Sequence, residues 1–166
     1  MIPTNERAAN IRFVAGDVLL TRCDAIAHGV NSSGVMGAGI AKIIAEALPD
    51  MYRSYREHCE LRMLRVGAVE VWRKSTPMIV NMCTQRSTQG ADIHYVHDAF
   101  AELHTMIHYG VLRIGSLAMP KIASGLGGLD WDQVLPIIVR ELSDLPIHIY
   151  IYTEFLPGVR GVEEDA

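Results

Sequence analysis

Two glycine-rich stretches, Gly34-Val35-Met36-Gly37-Ala38-Gly39 and Ser124-Gly125-Leu126-Gly127-Gly128, each fall between an apolar, strand-like run and a segment of helical period. In an open α/β sheet, loops at the carboxyl ends of parallel strands share one rim, and ligands bind there. Glycine permits positive φ and close backbone approach, so successive N–H groups can converge on an anion. A helix following the loop adds roughly half a positive charge at its N-terminus. Two such loops on one rim suit a diphosphate, with one phosphate group to each. Other phosphate motifs do not fit. GAGIAK lacks the Lys-Ser/Thr pair of a P-loop, and Gly37-x-Gly39 has no third glycine in register and no acidic partner closing a Rossmann unit.

The rest of the chain alternates in period. Ile11–Val14 is a short apolar run interrupted by Gly16-Asp17, and Ala25–Val30 reads as a buried strand ending at Asn31. Ile40, Ala41, Ile43, Ile44, Ala47 and Leu48 follow helical spacing, and Pro49-Asp50 starts a second helix running to about Cys59. Strands are predicted at Ala68–Trp72 and Met78–Met82, then a polar loop from Thr84 to Asp92 and a helix carrying Val96, Ala99, Phe100, Leu103, Met106 and Ile107 on one stripe. Leu112–Met119 reads as a strand. A helix opens at Asp130 with Gln133 three residues on, a capping-box pattern, and Pro136 lies near its first turn. Ile147–Thr153 is the last strand. Strands separated by helices predict a three-layer α/β/α sandwich, with helices on both faces of a mostly parallel sheet. One domain is expected over residues 1–156; residues 157–166 form an acidic tail of few anchors, expected to be flexible and to fray.

Composition narrows the function classes. A length of 166 residues suits one core, and 49% hydrophobic against 20% charged residues is the balance of a compact globule. A net charge of −4 gives no field for extended nucleic-acid binding, although one nucleotide or one modified end remains within reach. No apolar run approaches the ~18 residues that a membrane span needs, and the opening MIPTNERAAN does not read as a signal peptide. Three cysteines, Cys23, Cys59 and Cys83, lack metal-site spacing and point to reduced thiols in a cytoplasmic protein. Asp92, His94, His97 and Asp98 straddle a loop and a helix start with no distant partner implied; they read as a solvated helix flank, and neither metal nor cofactor is expected. His28, inside a buried strand, reads as hydrogen-bonded core. Neither a GxSxG elbow nor an HExxH helix occurs.

Around the two loops, Asp17, followed by Val18, stands where a carboxylate can accept from an adenine amino group or cap a turn. Phe155, past the last strand, can stack on a base or complete the core. Asn31 can hold ribose hydroxyls or cap the loop backbone.

Together with Gly16-Asp17, the runs Val30-Asn31-Ser32-Ser33-Gly34-Val35-Met36-Gly37-Ala38-Gly39-Ile40-Ala41 and Pro120-Lys121-Ile122-Ala123-Ser124-Gly125-Leu126-Gly127-Gly128-Leu129-Asp130-Trp131 resemble a macro domain, the module that binds ADP-ribose. The resemblance extends from about Ile11 to Phe155. Within the family it is strongest toward the branch of terminal ADP-ribose protein glycohydrolases, DNA ADP-ribosyl glycohydrolase antitoxins and ADP-ribose 1″-phosphate phosphatases. It implies about six strands between helices, with Asp17 and Val18 at the adenine and Phe155 near it. It further implies Asn31 on the distal ribose, and Val35, Met36, Gly37, Ala38, Gly39 and Ile40 with Ser124, Gly125, Leu126, Gly127 and Gly128 around the diphosphate. The implied partner is ADP-ribose or an ADP-ribosylated macromolecule, and a monomer is expected.

Departures from the family pattern bear on catalysis. Hydrolases of this branch carry a lysine after the strand equivalent to Ile79–Met82, where this chain has Thr84 or Gln85. A lysine amine can form an adduct at an anomeric carbon; a glutamine amide cannot. The protein glycohydrolase has an aspartate where this chain has Gly127, and the acidic residue that another branch places in the first loop is missing from Ser33–Gly39. Asn31 and Gln85 are left as candidate catalytic residues, positioning a water without a strong base. The expected activity is hydrolysis of ADP-ribose derivatives, with 1″-phosphate dephosphorylation, hinted at by Arg86, and non-catalytic reading of ADP-ribose as alternatives.

Overall fold

A computed structural model describes residues 8–164. The elements run β1 (Ile11–Gly16), a single 3-10 turn (Val18–Leu20), β2 (Ala25–Asn31), α1 (Gly39–Ala47), α2 (Pro49–Glu60), β3 (Val69–Trp72), β4 (Met78–Gln85), α3 (Ile93–His108), β5 (Ser116–Pro120), α4 (Trp131–Leu142) and β6 (His148–Phe155). The six strands form one sheet in the order β1-β6-β5-β2-β4-β3. Only β3, at the edge beside β4, is antiparallel.

Near-continuous apolar strands are the mark of a sheet covered on both faces. In β2, Ala25 and Ala27 join one core with Val96, Phe100 and Leu103 of α3 and Val134 and Ile138 of α4. Ile26 and Val30 alternate into the other core, with Ile44 of α1 and Met51 and Tyr55 of α2. The layers are therefore helix pair, sheet, helix pair, as the alternation of elements predicts.

Strand β2 lies between β4 and β5, and the chain leaves this point in opposite directions across the sheet. Pairing of β2 with β5 is confined to Ala25↔Leu117 and Ile26↔Ala118, so the two strands diverge toward their carboxyl ends. A divergence of that kind at a topological switch point opens a crevice on the rim. Both glycine-rich loops leave from it, one after β2 and one after β5.

Three local expectations differ from the structure. Strand pairing in β5 starts at Ser116 rather than Leu112, because the Gly115 and Ser116 amides both turn to the Asp24 carboxylate, at 2.6 and 3.2 Å. Pro136 is the sixth residue of α4, inside the helix rather than in its first turn. The chain from Pro157 to Glu164 is anchored instead of fraying. Glu163 accepts from Thr21 Oγ1, the Arg22 amide and Tyr152 Oη. Gly161 lies so close over Gly16 that a Cβ on Gly16 would stand 2.7 Å from the Gly161 nitrogen. Residues 165 and 166, the acidic end of the expected tail, lie outside the described residues.

Candidate functional site

A cleft of about 600 Å³ occupies the crevice at the ends of β2, β4 and β5. The first loop contributes Val35 to Ala41 and the second Gly125 to Gly127. The loops touch: a Cβ on Gly39 would meet Leu126 Cδ1 at 3.3 Å. Asn31, Thr84 and Gln85 line the cleft at the strand ends.

Electrostatically the loops are unequal. The N-cap of α1 is Ala38, which has no side chain to satisfy the first-turn amides, and Ala38 to Ala41 line the cleft. This helix end is open to an anion. Asp130 caps α4 by accepting from the Asp132 amide at 3.0 Å, and the chain from Gly128 onward leaves the cleft lining. The expected pair of helix dipoles is thus one dipole, from α1, facing a backbone loop.

Backbone strain holds the second loop. Ala123 has φ 66°, a left-handed conformation that costs a residue with a Cβ, and Gly127 packs so tightly that its own Cβ would stand 2.6 Å from the Ala123 oxygen. An aspartate in place of Gly127 would collide with that backbone. The Gly127 carbonyl is fixed in turn by the Ala91 amide at 2.8 Å.

Asn31 organises the first loop. Its Oδ1 accepts from the Ser33 amide and hydroxyl, the Val35 amide and Tyr55 Oη, at 2.9–3.2 Å, and its Nδ2 donates to the Val35 carbonyl at 2.8 Å. One Nδ2 hydrogen is left for a ligand. The Gln85 amide donates to the Ser87 carbonyl at 2.6 Å, and Thr84 is buried.

Asp17, Val18, Ser124, Gly128 and Phe155 do not line the cleft. Asp17 Oδ1 accepts from the Leu19 amide and Oδ2 from the Gly158 amide, so both oxygens serve backbone donors. Val18 is fully buried and Phe155 is 45% exposed at the end of β6. The Ser124 hydroxyl is buried without a partner among the described residues.

Nine lining residues lie outside the predicted site, Gly29, Val30, Ala41, Thr88, Pro120, Ile122 and Ala123 together with two that carry titratable side chains, Lys121 and His28. Among the described residues Lys121 is the only Lys, Arg, Asp or Glu of the lining; it stands within the second motif run, yet its place at the end of β5 gives no sign in sequence that it lines the crevice. His28 belongs to the core, as expected, and also to the floor of the cleft. Asn81 Nδ2 is directed at Met51 Sδ, so Asn81 Oδ1 faces His28 Nε2 at 2.6 Å and the proton sits on Nε2. Nδ1 is then a bare acceptor, buried and without a partner among the described residues. Burial lowers the imidazole pKa from 6.5 to about 4, against the opposing Asn81 bond, so the ring is neutral at pH 7.

The other titrating groups are structural. Burial raises the thiols of Cys23 and Cys83 to about 12 and that of Cys59 upward, which leaves three protonated, free cysteines. Among the described residues no group of three His, Cys, Asp or Glu side chains is placed to hold a metal. His97 instead lies against Asp98 and Glu141. Among the described residues no helix is long and apolar enough to cross a membrane.

Known proteins resemble this chain in sequence and in fold. A DNA ADP-ribosyl glycohydrolase of Thermus aquaticus is 31% identical over 86% of the chain, which spans 41% of that relative. The chain therefore covers well under half of this relative's length. The structure of the macrodomain of Thermus aquaticus DarG matches with a TM-score of 0.79, over 86% of this chain and 97% of that one. Thermosipho africanus DarTG, solved in complex with ADP-ribose, matches with a TM-score of 0.79 at 26% identity, over 92% of this chain and 43% of that one. An ADP-ribose 1″-phosphate phosphatase of Lodderomyces elongisporus is 23% identical over 85% of the chain and 98% of its own length. The family model of the macro domain matches residues 27–138. In sequence and in overall fold, the chain belongs to the macro domain family.

Proposed function

We propose that this cleft binds ADP-ribose and that the chain removes ADP-ribose from a modified nucleic acid or protein. The observation that carries the reading is the convergence of Val35–Gly39 and Gly125–Gly127 on one cleft beside Asn31. Loop amides and the open end of α1 take the diphosphate, and the free Nδ2 hydrogen of Asn31 takes a ribose hydroxyl. Hydrolysis adds the oxygen of water to the anomeric carbon as the bond to the acceptor breaks, and the acceptor leaves with a proton. Among the described residues no carboxylate lines the cleft, so no strong base draws the proton from the water and turnover is slow. A phosphatase reading draws on the 1″-phosphate phosphatase relative, with Lys121 as the cation for the extra phosphate.

Gln85 favours a second reading. With its amide bonded to the Ser87 carbonyl where the hydrolases carry lysine, the domain reads ADP-ribose without turnover. Calorimetry tests the binding: ADP-ribose is expected at micromolar affinity, about −8 kcal/mol, and AMP much weaker. Equal affinities would overturn the two-loop site. Incubation with ADP-ribosylated DNA, ADP-ribosylated protein and ADP-ribose 1″-phosphate then separates the readings, since release from none of them with binding intact leaves the reader.

A further inference from the structure

A second groove, of about 760 Å³, opens at the opposite end of the sheet, where β2, β4, β5 and β6 begin. It is separated from the first cleft by the length of β2, seven residues or about 20 Å. Arg22, Arg73 and Arg113 reach it from three different loops. All three are exposed. None of them forms an ion pair among the described residues. Neutral carbonyls hold two of them in place, Arg73 Nη2 on Val111 O at 2.8 Å and Arg113 Nε on Gly110 O at 3.3 Å, which fixes position without cancelling charge.

The lining also holds one carboxylate, which keeps its charge. Asp24, also on the groove, has its Oδ2 on the Gly115 and Ser116 amides. Glu163 receives the Arg22 amide together with Thr21 and Tyr152. With three arginines against one carboxylate, the groove lining is net positive in a chain whose net charge is −4. The lining also includes Met78, Ile107, Ile114 and Ile147, which supply an apolar wall, beside Ser75 and Thr76.

We infer that this groove is a second ligand site, one that takes a nucleoside phosphate with its phosphates on the arginines and its base on the apolar wall. Guanidinium forks match phosphate oxygens in pairs, and arginine is less strongly hydrated than lysine, so desolvating it costs less. The volume lies in the range of small-molecule sites. Base and phosphate together occur on a free nucleotide and on the phosphorylated end of a nucleic-acid strand, and one experiment separates the two.

ATP, inorganic triphosphate and a 5′-phosphorylated hexathymidylate are titrated by calorimetry into the full chain and into Arg22→Glu and Arg113→Glu. ATP or the oligonucleotide is expected to bind the native chain, and at least tenfold more weakly each variant, with the ADP-ribose titration unchanged in both. Binding of ATP identifies a free nucleotide as the ligand, and binding of the oligonucleotide alone identifies a strand end. Inorganic triphosphate matching ATP overturns the role of the apolar wall. Affinities unchanged in the variants, or no binding at all, overturn the site. The Arg22 guanidinium makes no hydrogen bond among the described residues, so Arg22→Glu tests the site even where Arg113→Glu disturbs its loop. Since the groove is remote from the first cleft, a failure here leaves ADP-ribose binding standing, and a failure there leaves this site to be judged alone.

Discussion

The Gly158 amide donates to Asp17 Oδ2 at 2.9 Å, tying the carboxylate that follows β1 to a segment 141 residues further along the chain. The other oxygen caps the 3-10 turn through the Leu19 amide at 3.0 Å. Asp17→Ala removes both bonds and leaves two backbone donors to find water. A loss of about 1–3 kcal/mol in urea denaturation is expected. If Asp17 also takes the adenine amino group, the variant binds ADP-ribose roughly 10- to 100-fold more weakly, while an unchanged affinity makes Asp17 a purely structural residue.

Gly127→Ala is expected to weaken ADP-ribose binding at least tenfold, because the added methyl would stand 2.6 Å from the Ala123 oxygen and the loop must move. Ala123→Gly acts in the opposite direction on stability. At φ 66° the exchange relieves left-handed strain, and a gain within about 1 kcal/mol is expected, reduced by the added freedom of the unfolded chain. Melting curves and calorimetry on the two variants separate loop shape from loop stability.

Asn31→Ala leaves the Val35 and Ser33 amides without their shared acceptor, while Tyr55 Oη keeps the Asn31 backbone carbonyl at 2.6 Å. Ser33 and Val35 are exposed, so water takes the freed donors and a loss of about 0.5–1.5 kcal/mol accompanies any loss of binding. Hydrogen exchange at Ser33 and Val35 reports loop opening directly. Protection as strong as in the native chain would show that the side chain does not hold the loop.

His28 supplies an acid-sensitive element. Its folded pKa of about 4 lies below the unfolded value of 6.5, so the unfolded chain takes up the proton first. The stability contributed by the neutral ring is complete above pH ~6.5 and is lost as pH falls through that value toward 4, by about 3 kcal/mol in all. His28→Gln keeps a donor for Asn81 and removes the titration. The acid limb of a stability-against-pH profile is expected to flatten in the variant, and superimposable profiles would refute the assignment.

Gln85→Lys places an amine at one of the two positions, Thr84 and Gln85, where the family resemblance implies the hydrolases' lysine. If the cleft is otherwise competent, release of ADP-ribose from modified DNA is expected to rise at least tenfold, as read in single-turnover assays. No gain, with ADP-ribose binding intact, would mean that the lysine's place is elsewhere, as the position of Lys121 on the facing strand end suggests testing next.

Local period and turn chemistry made most of the architecture legible: alternating apolar runs place the strands and helices, and the two glycine runs mark their loops. They do so because helix stripes, buried strands and left-handed turns are decided within a few residues of chain. What tertiary structure alone decided concerns groups far apart in sequence. The meeting of the two loops depends on β2 and β5 being neighbours that diverge after two pairs. Both oxygens of Asp17 are committed because residue 158 returns to cover it, and the terminal segment is anchored because Glu163 finds donors on Thr21, Arg22 and Tyr152. Such partners carry no local signal, since a carboxylate, a lysine or an arginine reads the same in sequence whether it faces water, a backbone amide or a cleft. Only the folded chain sets which of these it meets.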